Sequence, residues 1–266
     1  MENTRPDVLD WKLLRVSPLA KRLLEIAASG HHSAVLIGPS QTGKVTLARS
    51  MTTILPDLPL IAPDSIASLR SVYEHHRSSL LVLERLDRWD EVSLAWVRQQ
   101  MAQCSHPGLL IATLCPCPCG KVDNDCQCSP EAKQAHQQRL RPTLERFALA
   151  VTLSHRKAAP NEPSDEPSAL VRQRVEAAQC VQFQRNHARL NSRVSLEELD
   201  HCIPLDLPGQ KLMEAAHKHL ALSSEQTLLL RQVAATIADL AGDAVPSPWL
   251  KLPHLAEAIS YHPHWT

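Results

Sequence analysis

The sequence contains few aromatic residues, few glycines and no excess of either charge. Only 3% of its 266 residues are Phe, Trp or Tyr, 7 are Gly, and 28 Lys and Arg residues balance 28 Asp and Glu residues. Because the net charge is zero, the whole chain is not expected to attract nucleic acid or an anionic membrane. A local basic patch could still bind either partner. Function has to be sought in local motifs.

Long apolar runs are also missing. No stretch approaches the ~18 apolar residues that a membrane-spanning helix needs, and residues 1–16 lack the basic region and apolar run of a signal peptide. The sequence thus predicts a cytoplasmic protein with no membrane partner. Apolar residues still make up 44% of the chain, which is enough for the core of one large or two smaller domains.

Short apolar runs alternate with amphipathic segments in the first part of the chain. Four runs have the length and composition of buried parallel strands, at residues 34–37, 79–90, 108–114 and 147–153. The segments between these runs have the apolar spacing of helices. A further helix is predicted before the first run, with Ser17 as its N-cap and Gly30 at its end. Strands that alternate with helices predict an α/β fold with a parallel sheet.

The segment 156–168 separates this part from the rest of the chain. It is rich in Pro and in charge and has no periodicity, which is typical of a linker. Residues 169–266 show only helical spacing, and Ser195 with Glu198 predicts a capping box. The sequence therefore predicts an α/β domain over residues 1–155 followed by a small all-helical domain.

A phosphate-binding pattern, Gly-x4-Gly-Lys, lies between the first predicted strand and the next predicted helix. The candidate nucleotide-binding residues are Gly38, Pro39, Ser40, Gln41, Thr42, Gly43, Lys44 and Val45. Backbone N–H groups of such a loop surround phosphate oxygens, and Lys44 would reach the terminal phosphates. Val45 stands where a Ser or Thr hydroxyl normally binds Mg²⁺, so we expect ATP or ADP with weak Mg²⁺ binding or none.

Five of the eight cysteines lie close together in the sequence. Four of them form two Cys-x-Cys pairs, Cys117 with Cys119 and Cys126 with Cys128. A thiolate cluster in a cytosolic chain favours a tetrahedral Zn²⁺ site, although Cys-x2-Cys is the more usual spacing. Reduced free thiols and a disulfide or redox pair are the alternatives. The 14 histidines are scattered, and we expect them to be solvated rather than to bind metal.

Several segments together resemble the magnesium-chelatase-like AAA+ ATPases of the ComM/YifB type. They are AKRLLEIAASGHHSAVLIGPSQTGK, CPCPCG, CQCSP, RLRPTLERFALAV, VRQRVEAAQ, NHARL, LSSEQTLLLRQVAATIADLAG and HLAEAISY, which span nearly the whole chain. The resemblance implies an AAA+ core, a helical lid, ATP at the interfaces of a homo- or hetero-oligomeric ring, and work on DNA. It also implies that the Lon-like N-terminal domain of the family is missing here.

The resemblance allows a motif-by-motif test of activity. The family has Asp-Glu where this chain has Glu84 and Arg85, so the water-activating base is replaced by a side chain that stays protonated. Cys115 stands at the sensor asparagine of the family, and a thiol is a poor donor. Arg146 matches the arginine that reaches the ATP of a neighbouring subunit. The arginines that the family carries in its lid have no counterpart at the matching positions of this chain, which hold Glu225, Leu229 and Ala235.

These departures predict a pseudo-ATPase, which binds nucleotide but hydrolyses it weakly or not at all. Such a protein would act in DNA processing or recombination, or as a regulatory subunit of a ring. One alternative is an active AAA+ motor on DNA, and another is a zinc-stabilised interaction module that binds no nucleotide. A gene product without a selected role is a further alternative.

Overall fold

The computed structural model describes residues 9–75, 78–103, 108–121, 125–154, 166–242 and 249–263. The first part of the chain forms a five-stranded parallel sheet with helices on both faces, and the second part is helical. This arrangement agrees with the α/β core and helical lid that the resemblance implies. The predicted linker lies largely outside the described residues, and the first lid helix begins at Ser168.

The strands are β1 Ala34–Ile37, β2 Leu60–Ile61, β3 Leu80–Leu83, β4 Leu109–Leu114 and β5 Leu149–Thr152. Their order across the sheet is β2-β3-β4-β1-β5, and every neighbouring pair is parallel. All residues of β1, β3 and β4 are buried, as expected for strands with helices on both faces. A strand lies within each of the four predicted runs, but in the run 79–90 it covers only Leu80–Leu83 and is followed by a 3₁₀ turn at Leu86–Arg88. The two-residue edge strand β2 was not predicted.

In the described residues, the helices that accompany the sheet are α1 Pro18–Gly30, α2 Lys44–Ser50, α3 Ile66–His75, α4 Glu91–Ala102 and α5 Pro130–Leu144. Ser17 occupies the N-cap position of α1, but its side chain makes no capping hydrogen bond. The helix ends at Gly30, as predicted, and the left-handed residue that follows is His31, with φ 54°. Glycine at position 30 is required for packing, since a Cβ there would lie 2.1 Å from His32 Nε2.

The lid contains α6 Ser168–Arg185, α7 Leu196–Cys202, α8 Leu207–Leu220, α9 Ser224–Leu240 and α10 Leu252–Ser260. The capping box of Ser195 and Glu198 is confirmed at the start of α7. Helix α9 is buried over most of its length and packs against α1, α6 and α10. Within the described ranges, no helix is both long enough and apolar enough to cross a membrane.

The apolar residues form one cluster on each face of the sheet. On one face, Ile37 and Leu83 pack against α3, α4 and α5. On the other face, the cluster around Leu36 includes α1 and α2 and continues into the lid through Val175 and Val233. The lid and the sheet therefore share one continuous apolar core.

A buried histidine joins the sheet part to the lid. His32 is 1% exposed, and its Nε2 lies 2.7 Å from Thr236 Oγ1 in α9. Because this hydroxyl donates to the Gln232 carbonyl, it accepts from His32 Nε2, so the ring proton is on Nε2. Burial lowers the pKa of His32 to about 3. The expectation of solvated histidines was therefore wrong for His32, whose place in the core was not apparent from scattered spacing.

A buried polar network within the lid continues from this contact. Asn191 Nδ2 lies 2.9 Å from both Thr236 Oγ1 and Asp239 Oδ2. Arg185 Nη1 lies 2.6 Å from Asp239 Oδ1, and the Asp239 side chain is fully buried. Two segments that support the family resemblance, NHARL and TIADLAG, supply or adjoin these residues. Their role in this structure is to hold α6 and α9 together.

Candidate functional site

The predicted phosphate-binding loop connects the carboxyl end of β1 to α2. Gly38 N–H donates to the Leu114 carbonyl at the end of β4, at 3.0 Å. A Cβ at Gly38 would lie 2.6 Å from the Leu153 carbonyl oxygen, so the position requires glycine. Gln41 and Gly43 have left-handed φ values of 67° and 78°, which reverse the chain direction within the loop. The strand–loop–helix setting expected for this motif is present.

The loop presents a series of unpaired backbone donors. Among the described residues, no backbone N–H from Gln41 to Val45 donates to a protein acceptor. Successive unpaired N–H groups in a turn form a concavity that suits an anion. Ser40 N–H is different, because it donates to the Gly120 carbonyl at 2.7 Å. The unpaired backbone N–H groups are therefore those of residues 41–45, which include Lys44 and its neighbours in the sequence.

Lys44 is folded across the loop and is only 4% exposed. Its Nζ donates to the Pro39 carbonyl at 2.6 Å and to Cys115 Sγ at 3.7 Å. Burial and the charge of Arg85 lower the pKa of Lys44, and the Cys115 thiol and Asp87 oppose that effect. The ammonium group thus lies at the loop, where an incoming phosphate would replace a carbonyl and a thiol as its partners.

Glu84, at the carboxyl end of β3, is held by an ion pair. Arg49 of α2 binds its Oε1 through Nε at 2.7 Å and Nη2 at 2.5 Å. The pair connects the end of β3 to the helix that follows the loop. Sequence reasoning did not identify Arg49, because the contact joins residues 35 positions apart.

Arg85, the next residue, is bound to a carboxylate that sequence reasoning also missed. Arg85 has φ 52°, and its Nη2 lies 2.8 Å from Asp87 Oδ2. The hydrogen bonds with Asp87 raise the pKa of Arg85 above its ordinary value. The Asp87 side chain is 2% exposed, and it also accepts Cys115 N–H at 2.9 Å. Asp87 is therefore the residue that positions both Arg85 and the backbone of Cys115.

Cys115 is fully buried beside the loop. Its Sγ lies 4.0 Å from Ser40 Oγ as well as 3.7 Å from Lys44 Nζ. Its carbonyl oxygen lies 3.0 Å from His136 Nε2 of α5. The residue thus occupies the expected place at the end of β4, with a thiol as the group that faces Lys44.

The four predicted metal ligands converge. The Sγ atoms of Cys117, Cys119, Cys126 and Cys128 all lie within 4.8 Å of one another. All four are unpaired thiols in the structure. A hydrogen bond from the Cys128 backbone and bonds with the neighbouring thiols lower the pKa of Cys126 to about 7, whereas burial raises the pKa of Cys117. Tetrahedral Zn²⁺ with Zn–S distances of about 2.3 Å requires sulfurs about 3.8 Å apart, so the donor set fits this ion.

The cysteine cluster is attached to the phosphate-binding loop. Gly120 N–H donates to the Cys117 carbonyl at 3.0 Å, and the Gly120 carbonyl accepts Ser40 N–H. Gly120 has φ 68°, and a Cβ there would lie 2.9 Å from Ser40 Oγ. The turn after the first cysteine pair is therefore part of the wall of the loop.

Two family comparisons cover nearly all of this chain. The family described as "Magnesium chelatase, subunit ChlI" matches residues 10–88 and 82–160. The one described as "Magnesium chelatase, subunit ChlI C-terminal" matches residues 165–262. The chain belongs to the magnesium chelatase subunit ChlI family.

Similar proteins of this magnesium-chelatase-like family are known in several bacteria. "Uncharacterized protein YifB" of Escherichia coli (strain K12) is 29% identical over 91% of this chain and 58% of its own length. "Competence protein ComM" of Haemophilus influenzae is 26% identical over 91% of this chain and 58% of its own length. The resemblance to the ComM/YifB type is thus confirmed, and the chain spans well under two thirds of these relatives.

Arg146 of this magnesium-chelatase-like chain lies at the amino ends of the strands, the opposite edge of the sheet from the loop. It forms an ion pair with Glu225 of α9, and both side chains are partly exposed. They line a cavity of about 120 Å³ between the sheet and the lid, together with His32 and Ser192. From this edge Arg146 does not reach the loop of its own chain.

In the part of the chain that the structure describes, the lid makes no polar contact with the loop. Its polar contacts with the sheet part include α1, the 3₁₀ turn Met51–Thr53, Ala150 of β5, Arg146 and the segment before α1, and none within the described ranges reaches residues 38–45. Arg231, the arginine near the expected lid position, is buried and pairs with Asp200 at 2.7 Å. It stabilises the lid itself.

Proposed function

We propose that this magnesium-chelatase-like chain binds ATP or ADP at residues 38–45 and hydrolyses it weakly or not at all. The observation that supports the proposal most directly is a contrast within one site. The loop keeps its glycines, its unpaired N–H groups and Lys44, whereas the residues on the metal and water side are replaced and engaged elsewhere.

Weak hydrolysis follows from the groups that would have to activate water. Arg85 stays protonated and is bound by Asp87, so it cannot accept a proton. Loss of a general base lowers a rate by about 10²- to 10⁴-fold. Cys115 offers a thiol in place of the sensor amide, which weakens the positioning of water and of the terminal phosphate. These losses act on the chemical step and leave the phosphate contacts of the loop in place.

Nucleotide binding is tested by titration of the purified chain with a fluorescent ATP analogue. We expect saturable binding that Lys44→Ala weakens by about 10- to 100-fold, because one charge-assisted contact contributes about 1.5–3 kcal/mol. Lys211→Ala is the matched control, since it removes an exposed lysine from the lid. No saturable binding by the wild-type chain would favour the interaction module, and turnover that Lys44→Ala abolishes would favour an active motor.

We also propose that Cys117, Cys119, Cys126 and Cys128 bind one structural Zn²⁺. The convergence of four sulfurs supports this proposal, and zinc requires the thiolate form. Metal analysis of the purified chain should give about one zinc per chain, and Cys126→Ser should lower that ratio. Cys180→Ser is the matched control, because Cys180 is an exposed thiol far from the cluster. Metal-free wild-type protein with the same thermal stability would support reduced free thiols instead.

The assembly and the DNA role are proposals from the family. We propose a homo- or hetero-oligomeric ring with two domains per chain, residues 1–155 and 169–266, in which Arg146 faces the nucleotide of a neighbouring subunit. A role in DNA processing rests on the resemblance and on a relative whose name is competence protein. Sedimentation with and without ATP tests the ring. Retention of single- or double-stranded DNA on filters at low salt tests the DNA role.

A further inference from the structure

Among the described residues, most of the oxygen atoms that could bind a metal ion at the candidate nucleotide site are already engaged by protein donors. Mg²⁺ in phosphate sites is usually held by one or two carboxylates together with substrate phosphates. Val45 offers only methyl groups, and Oε1 of Glu84 is bound by Arg49, whose positive charge opposes a metal ion beside this carboxylate. Both oxygens of Asp87 accept hydrogen bonds from protein donors. The donor set therefore does not fit the metal ion that usually accompanies this class of loop.

A guanidinium group borders the loop at this side of the site. A Cβ built on Gly120 would lie 2.9 Å from Ser40 Oγ and 3.7 Å from Arg85 Nη2. Cys115 Sγ, which is 3.5 Å from the same point, lies 3.7 Å from Lys44 Nζ. The Arg85 guanidinium and the Lys44 ammonium thus border one small region at the opening of the loop.

Arg85 is fixed by Asp87, but some of its N–H donors have no acceptor among the described residues. Asp87 binds its Nε at 3.2 Å and its Nη2 at 2.8 Å, so one edge of the guanidinium is fixed. Its Nη1 group donates to no protein acceptor among the described residues. A guanidinium presents five N–H donors in a plane that suits phosphate oxygens. The free edge of Arg85 is therefore equipped to bind a phosphate.

The charged groups of the site sum to one positive charge without a metal ion. Lys44 and Arg85 contribute one positive charge each, and Asp87 contributes one negative charge. The charges of Arg49 and Glu84 cancel in their ion pair. A site with the Asp-Glu pair of the family would hold two carboxylates against one lysine, and would need a cation to accept a polyphosphate. This site has a net positive charge on its own.

We propose that the site takes the nucleotide polyphosphate in its metal-free form, with the Arg85 guanidinium bound to phosphate oxygens in the place of Mg²⁺. This inference rests on the proposed nucleotide binding and goes beyond it, because it names the ionic form of the ligand and the residue that recognises it. Added Mg²⁺ does not assist binding. Mg²⁺ binds the free nucleotide, so it competes with the protein for this ligand.

The first test needs only the wild-type chain. It is titrated with a ribose-labelled fluorescent ATP analogue, once in excess EDTA and once in millimolar Mg²⁺. We expect saturable binding in EDTA that is at least as tight as in Mg²⁺. Binding that requires Mg²⁺ overturns the inference and leaves nucleotide binding intact. Absence of saturable binding under both conditions overturns both proposals.

The second test assigns the effect to Arg85. In EDTA, Arg85→Gln should weaken binding by about 10-fold or more, the effect of one charge-assisted contact. Arg85→Lys should lose less, because it keeps the charge. Arg88→Gln is the matched control, since this exposed arginine lies three residues further along the same turn. Thermal unfolding midpoints show whether each variant is folded. An unchanged affinity in folded Arg85→Gln overturns the assignment.

Discussion

At the residue scale, Lys44 and Glu84 face the same site but have very different surroundings. Lys44 is buried, and among the described residues its Nζ donates to the Pro39 carbonyl and the Cys115 thiol, partners that a ligand could replace. Glu84 is committed to Arg49, in a pair that holds the end of β3 against α2. Glu84 therefore has a structural role here.

His32 provides a prediction about pH. Its pKa is lowered from 6.5 to about 3 in the folded chain by burial, whereas in the unfolded chain it keeps its ordinary value. Stability from neutral His32 is thus complete above pH 6.5 and falls as the unfolded state gains a proton at lower pH. Between pH 7.5 and pH 5 we expect the free energy of unfolding to drop by about 2 kcal/mol from this residue alone.

Urea unfolding at both pH values measures this drop. In His32→Gln, which keeps a donor for Thr236, the pH-dependent loss should be smaller than in the wild-type chain by about 2 kcal/mol. His75→Gln should behave as the wild type, because His75 is exposed. Equal pH dependence in His32→Gln and the wild-type chain would contradict the account of this histidine.

At the element scale, most strands and helices could be predicted from local pattern. β1 coincides with its predicted range, because four apolar residues between a helix end and a Gly-rich loop leave little choice. The lid helices follow from strong 3.6-residue spacing and from capping residues such as Ser195. β2 was missed because two half-buried residues at a sheet edge carry no periodic signal.

The polar contacts of the site were less predictable than its elements. The sequence indicated which residues form the loop, and that Glu84 and Arg85 follow a strand. It did not indicate that Asp87 would bind Arg85, because the contact depends on the left-handed conformation of Arg85. The pairing of Glu84 with Arg49 depends on where β3 and α2 lie in the sheet. Such contacts arise from tertiary geometry, which local pattern does not encode.

The turn at Gly120 gives a prediction at this scale. Gly120→Ala adds a Cβ 2.9 Å from Ser40 Oγ at a φ of 68°, so the turn must shift away from the loop. We expect nucleotide affinity to fall several-fold, by about 1 kcal/mol, while zinc content stays unchanged. The measurement is the fluorescent ATP titration together with metal analysis.

Gly242→Ala is the control for backbone strain. Gly242 has φ 73°, but nothing lies within 4 Å of its added Cβ. Gly242→Ala should therefore introduce backbone strain similar to that of Gly120→Ala, but its added Cβ does not meet the loop. If both variants lower affinity equally, the attachment of the cysteine segment to the loop has no effect on the ligand.

At the scale of the whole molecule, the sheet and the lid share one apolar core on the α1 face. Hydrogen bonds from Gln179 and Gln182 of α6 to the carbonyls of Ala28 and Ser29 add to that contact. We therefore expect one cooperative unfolding transition for the chain, rather than separate transitions for the two predicted domains.

The Arg185–Asp239 pair tests this shared stability. Arg185→Ala leaves a fully buried Asp239 without its charge partner, which should cost about 3–5 kcal/mol of unfolding free energy. Urea unfolding followed by circular dichroism should show a single transition at lower denaturant. Arg189→Ala, which breaks an exposed pair with Glu198, should cost far less stability than Arg185→Ala. Two separate unfolding transitions in Arg185→Ala, one for the lid and one for the sheet domain, would contradict the shared core.

The proposed nucleotide binding without turnover can be measured on a single sample. Calorimetric titration with ATP is followed by measurement of phosphate release over hours. We expect one saturable site per chain and phosphate release no faster than that of Lys44→Ala. Multiple turnovers by the wild-type chain that Lys44→Ala abolishes would show an active ATPase instead.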